Sequence, residues 1–158
     1  LKHYLIAREE VSLVDVLGRT YAGAPPDARG FIGLAYRITP DHQRFESVYV
    51  RPLNGRKHHP PPPRDQRTIQ YFAFPDWPFD RLREQYPDGR FEAGADIAID
   101  EWIALCLDVS ENHVAVTVNG ELLLTVREPK AAPITGAIGL WVDIGTEGYF
   151  SDLRVTPA

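Results

Sequence analysis

Short apolar runs that alternate every second residue, cut apart by glycine and proline, constrain this chain more than any other feature. Ile32, Leu34, Tyr36 and Ile38 share one face of such a run. So do Ile103, Leu105, Leu107 and Val109, then Val114, Val116 and Val118, then Leu122, Leu124 and Val126, then Ile138, Leu140 and Val142. The closing stretch repeats the pattern with Tyr149, Ser151, Leu153 and Val155. Successive side chains of a strand point to opposite faces, so alternation of this kind marks half-buried antiparallel strands. The pattern predicts strands over 3–8, 11–17, 31–38, 45–51, 68–74, 91–98, 102–109, 113–118, 121–127, 136–143 and 148–156. Asn119-Gly120, between two alternating runs, predicts a two-residue hairpin turn, since both positions need positive φ. Only 79–85 reads as a helix. Many short strands with Gly/Pro turns predict an all-β sandwich or barrel. No repeat or linker divides the chain, and 158 residues suit a single domain over 1–158.

Composition removes several classes. No apolar run approaches the ~18 residues of a membrane span. A net charge of −5 and a pI near 5.5 make the chain a poor general binder of nucleic acid. One cysteine, Cys106, excludes an internal disulfide and a multi-cysteine zinc site. The chain opens at Leu1, which reads as a processed or excised piece, with no signal peptide in view.

The strand faces turned away from the core carry unusual residues: Phe31, Gly33, Ala35 and Arg37 in one run, Ser47, Tyr49 and Arg51 in the next. Ala137, Gly139, Trp141 and Asp143 follow on 136–143, and Trp102, Ala104, Cys106 and Asp108 on 102–109. Small residues admit a ligand to the sheet, aromatic rings offer flat apolar faces, and Arg and Asp fix hydrogen bonds. That mixture suits a sugar ring; packing beneath a long loop is the competing explanation. The loop is 52–67, where His58-His59 precedes Pro60 to Pro63, a stiff segment unable to join a sheet ladder. Residues 51–67 carry a local charge of +4, with Arg51, Arg56, Lys57, Arg64 and Arg67 against Asp65. A positive island on an acidic protein suits carboxylate or phosphate groups. Arg51 and Arg56, aided by Arg83, are therefore expected to grip an acidic or hydroxylated ligand beside Tyr49, Tyr71 and Trp141. Ion pairs of Arg51 and Arg83 with Glu46, Glu84 or Asp143 remain the structural alternative.

Catalytic signals are sparse. Glycoside cleavage needs two flanking carboxylates, and the closely spaced E-x-D-x-x-E acids of many glucanases are absent. Glu46 and Asp143 are the acids retained as catalytic candidates. His58 and His59 are neighbours that point apart, Ser47 lacks a nucleophile elbow, and Cys106 has no paired histidine. No metal site is assigned from these groups.

Several stretches together resemble a known group. Phe45 to Arg56 (FESVYVRPLNGR), Ile69-Gln70-Tyr71, Pro75 to Arg83 (PDWPFDRLR), Val118-Asn119-Gly120, Gly136 to Val142 (GAIGLWV) and Gly145 to Val155 are similar, in order, to motifs of bacterial concanavalin A-like lectin/glucanase domains. These laminin G-like jelly rolls border the 3-keto-disaccharide hydrolase-like proteins. The chain departs from the group's pattern at Phe79, where Trp is usual, at Arg67, where a polar residue is usual, and in the His-His-Pro-Pro-Pro-Pro insert. The resemblance implies a two-sheet antiparallel jelly roll and an extracytoplasmic setting. It implies a carbohydrate or glycoside ligand on the concave sheet, stacked on Tyr49, Tyr71, Trp77 or Trp141, with Arg51, Asn54, Arg56 and Gln70 bonding hydroxyls. A sugar-acting hydrolase or lyase, with Asp143 or Glu46 as base, and an adhesion module meeting a protein partner through 52–67 are the other readings. No cofactor is expected beyond Ca²⁺, for which Asp143 with Glu147 and loop carbonyls is a candidate.

Overall fold

The computed structural model describes residues 5–6, by backbone alone, and 10–157. Eleven strands and one short helix follow in order: β1 (Leu5–Ile6), β2 (Glu10–Thr20), β3 (Ile32–Ile38), β4 (Phe45–Val50), β5 (Ile69–Phe74), α1 (Phe79–Gln85), β6 (Glu92–Ala93), β7 (Ile103–Val109), β8 (Val114–Val118), β9 (Glu121–Val126), β10 (Gly136–Val142) and β11 (Thr146–Pro157). They form a six-stranded sheet, β1-β10-β3-β4-β5-β6, and a five-stranded sheet, β11-β2-β7-β8-β9. Every pairing is antiparallel. The expected strand over 3–8 lies mostly outside the described residues; Leu5–Ile6 is the part seen as β1. The expected strand over 91–98 shrinks to Glu92–Ala93, because the chain leaves the sheet and buries Ala95 and Ile97 from a loop. Asn119 and Gly120 make the hairpin turn at φ 50 and 83.

The core lies between the sheets. Val14 and Val16 of β2 and Leu105 and Leu107 of β7 face Leu34 of β3, Val48 of β4 and Tyr71 of β5, each no more than 1% exposed. Each such aliphatic side chain contributes roughly 1.5–3 kcal/mol by leaving water. Parity along β4 sends Val48 and Val50 inward and Ser47, Tyr49 and Arg51 to the outer face of the six-stranded sheet, as read from the sequence.

Three bulges break the alternation. In β3, Ala137 pairs with Ile38 but Gly139 pairs with Ala35, so Tyr36 and Arg37 together oppose Ile138. Arg37, at φ 50, turns inward and Ile38 turns outward, correcting the expectation for both. In β9 the register shifts at Leu123, which throws Leu122 to solvent at 61% exposure while Leu124 stays inside. In β11 the shift falls between Ser151 and Arg154, and Asp152 takes φ 56. Phe150 packs against the core there, whereas Tyr149, expected inward, is exposed beneath the guanidinium of Arg19.

Arg37 heads a polar network inside the sandwich. Its Nη1 donates to Glu46 Oε2 at 3.0 Å, and its Nη2 donates to the carbonyl of Ser110. Tyr71 donates to Glu46 Oε1 at 2.7 Å and accepts from the backbone N–H of Lys130. Glu46 and Tyr71, both proposed as site residues on sequence grounds, are therefore interior groups. β4 parity points Glu46 inward, and β5 parity does the same for Tyr71.

Candidate functional site

A cleft of about 280 Å³ opens at one end of the outer face of the six-stranded sheet. Its floor is Tyr49 and Arg51, from the end of β4, with Phe31 from the segment entering β3. The 52–67 segment supplies one wall through Asn54, Arg64 and Arg67. Phe79 and Arg83 of α1 supply another, and Asp27, Arg29, Asp143 and Ile144 close the rim.

The local fold explains why these residues meet. The 52–67 segment is three 3-10 turns, at Pro52–Asn54, Arg56–His58 and Arg64–Gln66. It is tied down at both ends: Arg51 N–H donates to Thr68 O, Asn54 Nδ2 to Arg67 O, and Thr68 Oγ1 to Asn54 O. Leu53 N–H reaches Arg29 O and Arg56 N–H reaches Ala95 O, while His58 Nε2 accepts from the N–H of Ile99. The segment is thus a fixed wall.

Arg51 is the centre of the cleft. It is 5% exposed, yet no carboxylate lies within ion-pairing distance of it among the described residues. Its Nη1 donates to Gln70 Oε1 at 3.1 Å and to Arg67 O at 3.3 Å, and its Nη2 donates to the Tyr49 hydroxyl at 2.8 Å. Three of the five guanidinium N–H groups are thereby used, leaving one on Nε and one on Nη2. The guanidinium lies 5.0 Å from the Tyr49 ring centroid and 5.3 Å from that of Phe79. Desolvation lowers the Arg51 pKa, and burial pushes the Tyr49 phenol up to about 12.

The neighbouring charges are distributed unequally. Arg83 grips Glu92 with two hydrogen bonds of 3.0 Å, and Arg67 stands 3.7 Å from the same carboxylate. Arg29 spends its Nη1 on the carbonyls of Pro26 and Ala28. Asn54 is 4% exposed and lines the cleft, and its Oδ1, closed to solvent, has no hydrogen-bond donor among the described residues. A buried acceptor left unmatched costs about 1–3 kcal/mol.

Of the residues expected in the site, Tyr49, Arg51, Asn54, Arg83 and Asp143 come together here. Gln70 stands behind them: it receives Arg51 and donates to Tyr71 O and Phe91 O. Trp141 is on the same face, its ring 4.4 Å from Tyr49 and 5.5 Å from Phe72, and it borders an adjacent apolar groove floored by Ala35 and Gly139. The others lie elsewhere. Tyr71 is in the core. Trp77 lines a separate hollow with Phe45, Phe74 and Arg44, its ring covered by Arg81. Arg56 reaches back towards Asp96 at 3.6 Å. Glu46 is sealed in the interior, and burial raises its pKa. Asp143 and Glu147, the Ca²⁺ candidates, have different partners: Asp143 Oδ1 accepts from the Ile144 N–H, and Glu147 Oε1 from the Tyr149 hydroxyl. No cluster of three or more His, Cys, Asp or Glu suited to a metal ion occurs among the described residues. Trp102 and Cys106 belong to β7 and its approach, and hence to the other sheet.

Asp27 and Arg29 were not singled out from the sequence. Their only local signal is a Pro-Pro-Asp-Ala-Arg-Gly turn before β3, which says nothing of its distance from β4. Arg64 and Arg67 belong to the basic 51–67 segment, whose charge alone gives them no place in a site.

No family model matches the sequence, and comparison with curated proteins finds no match. Solved structures do match. The carbohydrate-binding module CBM66 from Bacillus subtilis superposes with a TM-score of 0.64 at 15% identity, over 94% of this chain and 75% of that one. A doubly substituted human galectin-16 gives 0.60 at 12% identity, over 99% and 94% of the two chains. A Parabacteroides distasonis chain with a provisional glycosyl hydrolase assignment gives 0.56 at 13%, over 99% and 80%. At such identities the likeness shows the fold alone: an all-β, two-sheet antiparallel sandwich, a galectin-like jelly roll. No helix among the described residues is long and apolar enough to cross a membrane.

Proposed function

We propose that this chain is a carbohydrate-recognition domain and that its ligand occupies the Arg51 cleft. The observation that carries the reading is a buried guanidinium, that of Arg51, which keeps N–H groups to spare on the floor of a hollow walled by aromatic and polar side chains. A polyhydroxylated ring is both donor and acceptor, and its C–H face suits Phe31 and Phe79. The likeness to a carbohydrate-binding module and to galectins supports the same reading. Shallow single-sugar sites are weak, so a Kd near ~1 mM, or about −4 kcal/mol, is expected. The test is a glycan array followed by calorimetry, with Arg51→Ala as control. The variant is expected to keep its thermal midpoint within a few degrees and to lose binding; equal binding by the variant and the parent ends the proposal.

A second reading is supported by Asp143 and Asp27, which share the cleft with Arg51. In a sugar-acting hydrolase or lyase akin to the 3-keto-disaccharide group, Asp143 is the base and Arg51 offsets developing oxyanion charge. Glu46, closed inside the sandwich, has no part in it. Product release from 3-keto glycosides that is lost in Asp143→Asn, with binding kept, is the result that selects this reading.

A further inference from the structure

We infer that the saccharide is acidic, a uronate whose carboxylate is held by Arg51 with Arg64 beside it; the inference rests on the carbohydrate reading of this cleft. Five arginines line the hollow, against Asp27 and Asp143. Arg83 and Arg67 share the single carboxylate of Glu92. Arg29, Arg51 and Arg64 have no carboxylate partner among the described residues. Such an excess is costly when partly buried, because a guanidinium taken from water needs either a counter-charge or full hydrogen bonding. Arg51 has neither. Its spare N–H groups, on Nε and Nη2, are the kind that hold a carboxylate in two parallel bonds. A neutral sugar would satisfy those N–H groups and leave the charge uncompensated.

The negative groups narrow the ligand further. Asp27 and Asp143, both acceptors, sit on the rim. A simple anion such as phosphate offers them few or no protons and is repelled by both aspartates. A sugar acid offers a carboxylate to the arginines and hydroxyl protons to the acceptors. The cleft, near 280 Å³, is at the small end of ligand sites and suits one such ring with its neighbours projecting outward.

The decisive probes are tetrasaccharides of galacturonate, guluronate and glucuronate, each compared by calorimetry with its methyl ester, which keeps the shape and removes the charge. The acid should bind at least about tenfold more tightly than the ester, as one charge-assisted contact implies. The acid's advantage should shrink between 50 and 300 mM NaCl. Arg64→Gln, on a half-exposed turn with no ion pair, should weaken the acid several-fold with an unchanged thermal midpoint. Acid and ester binding alike, or inorganic phosphate competing at the same concentration as the uronates, overturns the inference and leaves the carbohydrate reading standing. No binding of acids, esters or neutral glycans overturns both.

Discussion

Arg37 and Arg51 leave neighbouring strands with the same charge and meet different fates. Arg37 is pulled inside by a bulge and meets Glu46, which Tyr71 also bonds, so its charge is answered within the fold. Arg51 is buried on the opposite face with only neutral partners, Gln70, Tyr49 and a carbonyl. One arginine therefore serves architecture and the other is available to a ligand. Arg37→Met should cost about 3–5 kcal/mol in chemical denaturation, because Glu46 is left buried without its cation. Glu46→Gln combined with Arg37→Met should recover part of that loss. At Arg51 the expected pattern is the reverse. Gln70→Ala should cost only about 1 kcal/mol in stability, yet weaken uronate binding by roughly an order of magnitude through loss of the Arg51 orientation.

At the scale of elements, the outer face of the six-stranded sheet depends on close approach between β3, β4 and β10. Gly33 lies opposite both Tyr49 and Trp141 in the ladder, and a Cβ there would stand 2.2 Å from Val48 O and 2.7 Å from Tyr49 Cβ. Its missing side chain lets the Tyr49 and Trp141 rings meet over the gap at 4.4 Å. Gly33→Ala should therefore lower stability by about 3 kcal/mol or more, measured by urea unfolding, and disturb the cleft floor. Gly120, at φ 83 in the β8–β9 hairpin, has open space around it. Gly120→Ala should cost about 1 kcal/mol through backbone strain alone and leave ligand binding unchanged. The contrast separates a glycine kept for packing from one kept for a turn.

For the whole molecule, the interior carboxyls set a pH dependence. Glu10 is 1% exposed, neither of its oxygens has a hydrogen-bond partner among the described residues, and burial raises its pKa from 4.5 to about 7 against the opposing pull of Arg37. Glu46 is also raised by burial. Both carboxyls hold their protons more tightly folded than unfolded, so ionising them opposes folding. The stabilisation is complete below about pH 4.5 and is lost as pH climbs through about 7 for Glu10. The thermal midpoint should accordingly fall between pH 5 and pH 8, and Glu10→Gln should flatten that part of the curve. A midpoint that falls equally in the variant assigns the effect to other groups.

The all-β class, the strands from residue 10 onward other than the one expected over 91–98, the Asn119-Gly120 turn and the helix at 79–85 are legible in the sequence alone. Each of these depends on spacing within a few residues, and alternation and turn chemistry report that directly. The sequence also puts Tyr49 and Arg51 on the outer face by parity along β4 and Asp143 by parity along 136–143, whereas Asn54 enters only through the family resemblance. It misplaced Arg37, Ile38, Leu122 and Tyr149, since one extra residue in a bulge reverses every face beyond it and leaves no mark on composition. Tyr71 was misassigned for another reason: both faces of β5 carry large side chains, and only the opposing sheet settles which is inside. The remainder of the site was decided by tertiary structure alone. Asp27 and Arg29, Arg64, and Phe79 come from three separate stretches, and only the packing of those stretches around the end of β4 makes them one cleft.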